Sequence, residues 1–357
     1  MTGGRPRRRG PFLDWKGLVG ILLSLGLLWY AFRDVHPAEV WQQVRRADLG
    51  LLLLASVLVT APFPLRAFRW KPLLRPAYPG SRFRPRFAAT SIGFMANNLL
   101  PARVGEFARA YALSRLEPIR MSASFGSLVV ERMFDGTTVV LFLLASLAWP
   151  GFPQVSGRDF GGAALALGAV FAAGFVVLLA LVAWPSRAVD LFERTVARVL
   201  PSPVRRPVVD ALEAFLDGVA AIRDGRLVLV VALWSLVIWL VAGLGVWVGL
   251  LAFGIRLPFV AAIFLQSVIA LAVALPSAPG FFGVFEAAAR IGLVQVWGVA
   301  AGPAVAFAIG FHLAGFIPVS AIGLYYVWRL GLSWREVEES EEAVEAAVEE
   351  RAGSGAR

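Results

Sequence analysis

The stretch NNLLPARVGEFARAYAL, residues 97–113, decides how this chain is read. An apolar run ends at Leu100, breaks at Pro101 and turns charged at once with Arg103, Glu106 and Arg109. A distant stretch, VALPSAPGFFGVFEAAARIGL at 273–293, repeats the plan. It has Leu275-Pro276, then Gly280 where the first has Gly105, then Glu286 followed by Arg290. Inside a membrane, a broken helix is tolerated only where protein or a water-filled cavity satisfies the freed backbone groups. Two such breaks in corresponding parts of a chain point to a transport site.

Composition sets the class. Charged residues make up 16% of the chain and hydrophobic residues 58%, against roughly 25% charged in soluble domains. Several apolar runs reach the roughly 20 residues that cross a bilayer, so this is an integral membrane protein. Net charge is +10, and 32 of the 34 basic residues are arginine. The arginines cluster between apolar spans, which fits loops facing anionic lipid better than a nucleic-acid partner. With no cysteine, disulfides and thiol chemistry are excluded, and two histidines exclude a His-rich metal site. No phosphate-binding Gly-rich loop, G-x-S-x-G or H-E-x-x-H is present. Neither catalysis nor a cofactor is expected.

Spans are expected at 17–32, 49–65, 122–149, 161–184, 227–253 and 303–328. The basic segment 66–86 contains several prolines and reads as an irregular loop. Residues 87–100 are apolar but short, about 21 Å as a helix, against a hydrocarbon core of about 30 Å. The continuation 103–120 carries four arginines. A re-entrant hairpin over 87–120 satisfies both facts. A second hairpin is expected at 259–299, with two full spans as the open alternative. Residues 186–224 show helical apolar spacing and read as cytoplasmic amphipathic helices, on the membrane surface or packed against the spans. Residues 1–331 then form one membrane domain, and 332–357 an acidic cytoplasmic tail.

With both termini in the cytoplasm, 27 of the 34 basic residues fall on the inner side and five on the outer side. The expected fold is an all-α polytopic membrane protein with about six full spans. Two opposed hairpins give it an inverted-repeat topology.

A charge at the centre of a span costs roughly 2.5–3.5 kcal/mol, so intramembrane charges are candidates for function. Arg132 lies about 15 Å into its span. Glu131 and Asp135 share one helical face, and Glu286 and Arg290 have the spacing of an i,i+4 ion pair. The alternative is an ion-pair network clamping the hairpins to the spans. For Arg103 and Arg109 the alternative is ordinary inner-surface arginine. The half-helices after each break suit an anion at their N-termini. Gly105, Gly280 and Gly283 would allow close backbone approach. Asn97 and Asn98 either bind a head group or close the broken backbone. His312, inside the last span, is expected to be a hydrogen-bonded core residue rather than a proton relay.

The two break segments and VVERMFDG (129–136) resemble, in order, signature segments of a flippase-like membrane family. That family is related to the N-terminal membrane domain of lysyl-phosphatidylglycerol synthases, and the likeness spans about residues 15–330. The resemblance implies an inner-membrane protein that moves a lipid, or a lipid-linked sugar, between leaflets. Its partner would be an anionic phospholipid or a polyprenyl-phosphate-linked substrate. Only a short acidic tail follows the membrane part, so lipid aminoacylation is not expected. A proton- or ion-coupled solute transporter and a non-transporting scaffold for an envelope enzyme are the competing expectations.

Overall fold

A computed structural model describes residues 15–100, 104–153, 160–195, 202–274 and 277–332. Every regular element among them is helical. α1 (Trp15–Phe32) and the short α2 (Pro37–Arg46) come first. Asp48 starts α3 (Leu49–Thr60) by accepting the Leu51 amide at 3.0 Å, as an N-cap does. α4 (Pro62–Leu74) follows with Pro62 at its first position, where a missing N–H forfeits no helical bond. The stretch Leu49–Leu74 is one of three helices among the described residues that are long and apolar enough to cross a membrane.

The expected basic loop at 66–86 is therefore corrected at both ends, since 66–74 and 83–86 are helical. Residues 62–74 are helical because their prolines sit near the helix ends, and Arg66, Arg69 and Arg86 are buried. Arg86 holds the following turn, donating to the Ala67 carbonyl at 2.8 Å. Glu117 accepts the Ser81 hydroxyl at 2.6 Å and the Arg82 amide at 2.7 Å.

α5 (Phe83–Leu99) and α6 (Gly105–Leu116) form the first hairpin. Their contact is so close that a Cβ on Gly93 would lie 2.6 Å from the Gly105 carbonyl oxygen. α7 (Met121–Leu147) carries Glu131, Arg132 and Asp135 near its middle. α8 (Phe160–Ala183) is apolar throughout, and α9 (Pro185–Thr195) bends from its axis by 95°. α10 (Ser202–Val219) lies along α7, with Gly218 pressed onto the Ala123 carbonyl.

α11 (Gly225–Ala252) is the second long apolar helix. α12 (Phe259–Ala272) and α13 (Val284–Arg290) pack against each other, with a 3₁₀ turn at Pro279–Phe281 among the described residues between them. A π-helical segment, Ile291–Val296, continues α13. Such segments are rare and often accompany functional sites. α14 (Ala301–Arg329) is the third long apolar helix.

One apolar core gathers α4, α5, α6, α7 and α10, and another gathers α2, α3 and α11 to α14. Leu22, Trp29, Leu53, Val57, Leu229, Leu233, Ile317 and Trp328 face outward. Apolar surface on this scale belongs against lipid.

Candidate functional site

Four arginines and three carboxylates meet where α4, α6 and α7 come together. Arg66 and Arg69 share a face of α4 by their i,i+3 spacing, and Glu131 and Asp135 share a face of α7 by i,i+4. Arg109 enters from α6. Its guanidinium grips Glu131 through two hydrogen bonds, at 2.6 and 3.2 Å, and lies 4.0 Å from the Trp70 ring centroid. Arg69 grips Asp135 at 2.6 and 3.3 Å, and reaches Glu131 at 3.2 Å. Arg66 adds a bond to Asp135 at 2.5 Å. From α11, Trp239 donates to Asp135 at 3.0 Å and Ser235 accepts from Arg69 at 2.7 Å.

This inner part is a closed clamp. Arg69, Arg109, Glu131 and Asp135 are all at most 4% exposed. Each carboxylate has cationic donors, as buried charges require. The network is the clamping alternative raised by the sequence, and it ties four helices together.

Arg132 is different. It sits at the edge of the clamp, with its side chain 38% exposed, and pairs with Glu106 at 3.3 Å. Its other nitrogen is 3.9 Å from Asp135. Counting the cluster as Arg66, Arg69, Arg109 and Arg132 against Glu106, Glu131 and Asp135 leaves one positive charge in excess, and Arg132 and Glu106 hold its open edge.

The first break is closed by its own neighbour. Asn97 accepts the Gly105 amide at 2.9 Å and donates to Glu106 at 3.4 Å. Asn98 donates to Ser320 of α14 at 3.0 Å. Gly105 lies against the Gly93 carbonyl and Asn97, so its missing side chain serves helix contact. Arg103, Pro101 and the Leu275-Pro276 pair lie outside the described residues.

At the second break, Glu286 does not pair with Arg290. Its Oε2 accepts the Gly283 amide at 2.6 Å, and its Oε1 meets His312 Nδ1 at 2.7 Å. Arg290 instead donates to the Ala31 carbonyl at 2.7 Å and to Asp34 at 2.5 Å, binding α13 to the end of α1. The two side chains diverge because Glu286 finds His312 on α14, whereas Arg290 finds the Ala31 carbonyl of α1 and Asp34 in the turn after it. Gly283 has φ 87°, and a Cβ there would lie 2.1 Å from the Ser24 carbonyl oxygen. Ser24 also accepts the Ala278 amide at 2.9 Å. Gly280, with φ 70°, faces Phe316 and Phe282. The start of α13 is capped by its own carboxylate.

Between the breaks lies a cavity of about 210 Å³. Phe63, Phe94, Phe281, Phe285, Phe311 and Phe316 dominate its lining, and Asn98 and His312 supply its polar side chains. Phe94 belongs to both environments. It lines the cavity and also lies beneath Arg66 and Arg132, whose guanidinium carbons are 5.4 and 5.7 Å from its centroid.

Among the expected residues, the structure gathers Glu106, Arg109, Glu131, Arg132 and Asp135 in one cluster and joins Asn97 to its edge. Asn98 and Glu286 are associated with the cavity, Asn98 in its lining and Glu286 through His312. Arg290 is directed elsewhere. Sequence reasoning missed Arg66 and Arg69. Their i,i+3 spacing beside Trp70 was the available signal, together with two span-buried acids lacking enough cations.

A protein-family profile described as the lysylphosphatidylglycerol synthase TM region matches residues 17–323. The chain belongs to this family. Its relatives include the glycosyltransferase AglD of Haloferax volcanii, 29% identical over 323 residues. That match covers 83% of this chain and 51% of AglD, so the chain spans about half that relative's length. A UPF0104 membrane protein of Methanothermobacter thermautotrophicus is 25% identical over 86% of this chain and 90% of its own length. No solved structure matches the chain.

Proposed function

We propose that this protein moves a lipid with an anionic head group between the leaflets of the cell membrane, as a flippase or scramblase. The observation that carries this is Phe94, the common wall of an arginine-edged cluster and an aromatic cavity. A ring that contacts two guanidinium groups and also lines an aromatic cavity matches an amphiphile. Arg132, with its side chain 38% exposed and its nearest ion pair to partly exposed Glu106, would receive the head group. The cavity would receive the first part of the chain. A lining dominated by phenylalanine argues against a small polar solute.

The family is named for a region of a phospholipid-modifying enzyme, and one relative is named a glycosyltransferase. Both phospholipids and lipid-linked sugars therefore stay in view. In this reading the two hairpins are re-entrant, dip from opposite faces and form inverted repeats. Both chain termini lie in the cytoplasm.

Reconstituted vesicles carrying a leaflet-selective fluorescent phosphatidylglycerol test the proposal. Translocation should require the protein and fall at least tenfold in Arg132→Ala, a loss of about 1.4 kcal/mol in barrier terms. Equal rates with and without protein would refute it.

A further inference from the structure

We propose that Glu286 and His312 form a proton-binding site coupled to the cavity. The pair takes up one proton as an anionic head group enters and releases it as the head group leaves. This rests on the lipid-translocase reading of the cavity, and it makes a transmembrane pH gradient the driving force.

The geometry specifies where the proton goes. Glu286 is 1% exposed and His312 8%, and they meet at 2.7 Å. A carboxylate only accepts, so Nδ1 carries the hydrogen of that bond and Nε2 is left as the basic nitrogen. Among the described residues Nε2 has no hydrogen-bond partner, and His312 lines the cavity. Histidine is the side chain whose ordinary ionisation falls in the physiological range.

Charge balance specifies the coupling. With neutral imidazole, the pair carries one negative charge on the cavity wall. Protonation at Nε2 turns it into an imidazolium–carboxylate pair with no net charge. An anionic head group is repelled by the first state and admitted by the second, and the low local dielectric strengthens both effects. Proton and anion together carry no net charge, so their joint passage is electroneutral. The rings of Phe282 and Phe285, 4.7 and 4.2 Å from the imidazole, offer faces to the cation.

Among the described residues, no other titratable side chain lines the cavity. The cavity lining contributed by α3, α5 and α12 holds no acid or base. Arg290, on α13, points to Asp34 and Ala31. The other titratable groups of α14, Tyr325, Tyr326 and Arg329, lie more than three turns along the helix, roughly 20 Å away. Glu286 also caps α13 through the Gly283 amide, so the charge of the pair is tied to the second break.

The test uses the full chain in vesicles, with fluorescent phosphatidylglycerol as the anionic probe and phosphatidylcholine as the zwitterionic one. One coupled proton per lipid biases the steady-state leaflet ratio about tenfold per unit of pH gradient. Phosphatidylglycerol should approach that ratio in the wild type and return to unity in Glu286→Gln and His312→Gln; phosphatidylcholine should stay near unity. Wild-type movement that settles at a ratio of one would overturn the coupling while keeping the translocase. If no probe moves, the translocase reading fails, and the proton site is decided by nuclear magnetic resonance. The chain has two histidines, so His36→Gln, at an exposed position, leaves His312 as the single imidazole. Its ¹⁵N titration should move when phosphatidylglycerol replaces phosphatidylcholine, and should move again in Glu286→Gln. A titration indifferent to both changes would overturn the proposal.

Discussion

Arg69 and Asp135 join α4 to α7 through two hydrogen bonds, of 2.6 and 3.3 Å, with Arg69 wholly buried and Asp135 4% exposed. The pair holds because each charge would be far costlier alone. Removing one partner of a buried pair costs about 3–5 kcal/mol, whereas replacing both by apolar groups is often neutral. Asp135→Ala and Arg69→Ala should therefore each lower thermal stability sharply in detergent. The double change Arg69→Met with Asp135→Leu should recover much of that loss. A double variant as unstable as the worse single one would show that the clamp is not a pairwise interaction.

Arg132 and Glu106 predict the opposite pattern. Their partly exposed pair is worth about 0–1 kcal/mol in stability. Arg132→Ala should melt within a few degrees of the wild type and still lose lipid translocation. Melting curves and vesicle assays on the same preparation separate the two effects. A large drop in stability would place Arg132 with the clamp.

Asn97 supplies the acceptor for the Gly105 amide. Asn97→Ala leaves that buried donor unpaired, at a cost of about 1–3 kcal/mol. Hydrogen exchange should rise at the start of α6 before it rises in α7. Uniform exchange across both helices would mean that the break is held by something other than this side chain.

Gly283 combines φ 87° with a Cβ site 2.1 Å from the Ser24 backbone. Gly283→Ala must push α1 away from the second break or rebuild the turn. Destabilisation of about 2 kcal/mol or more is expected, with strain and overpacking acting together. Ser24→Ala leaves the turn conformation allowed and removes one acceptor, so it should cost about 1 kcal/mol. Thermal unfolding of the two variants ranks the effects, and a reversed order would contradict the packing described here.

The buried acids were legible because charge within an apolar run stands out against its neighbours. Glu131, Asp135 and Glu286 were visible for that reason. Arg66 and Arg69 were not, because the prolines around them imitate a loop and because arginine is common beside spans. Their burial also removes two cations from those counted on the inner face. The Glu286–Arg290 spacing misled in another way. An i,i+4 pair contributes only about 0.2–0.5 kcal/mol on a helix, and His312 on α14 and Asp34 in the turn after α1 offered each residue a partner elsewhere.

Composition and apolar run length alone determined that this chain is a helical membrane protein. Backbone hydrogen bonding in hydrocarbon permits few other structures. Which charge meets which was decided only by tertiary structure. Partners such as Arg66 and Asp135, or Glu286 and His312, lie on different helices, and a side chain's best contact there depends on how those helices pack.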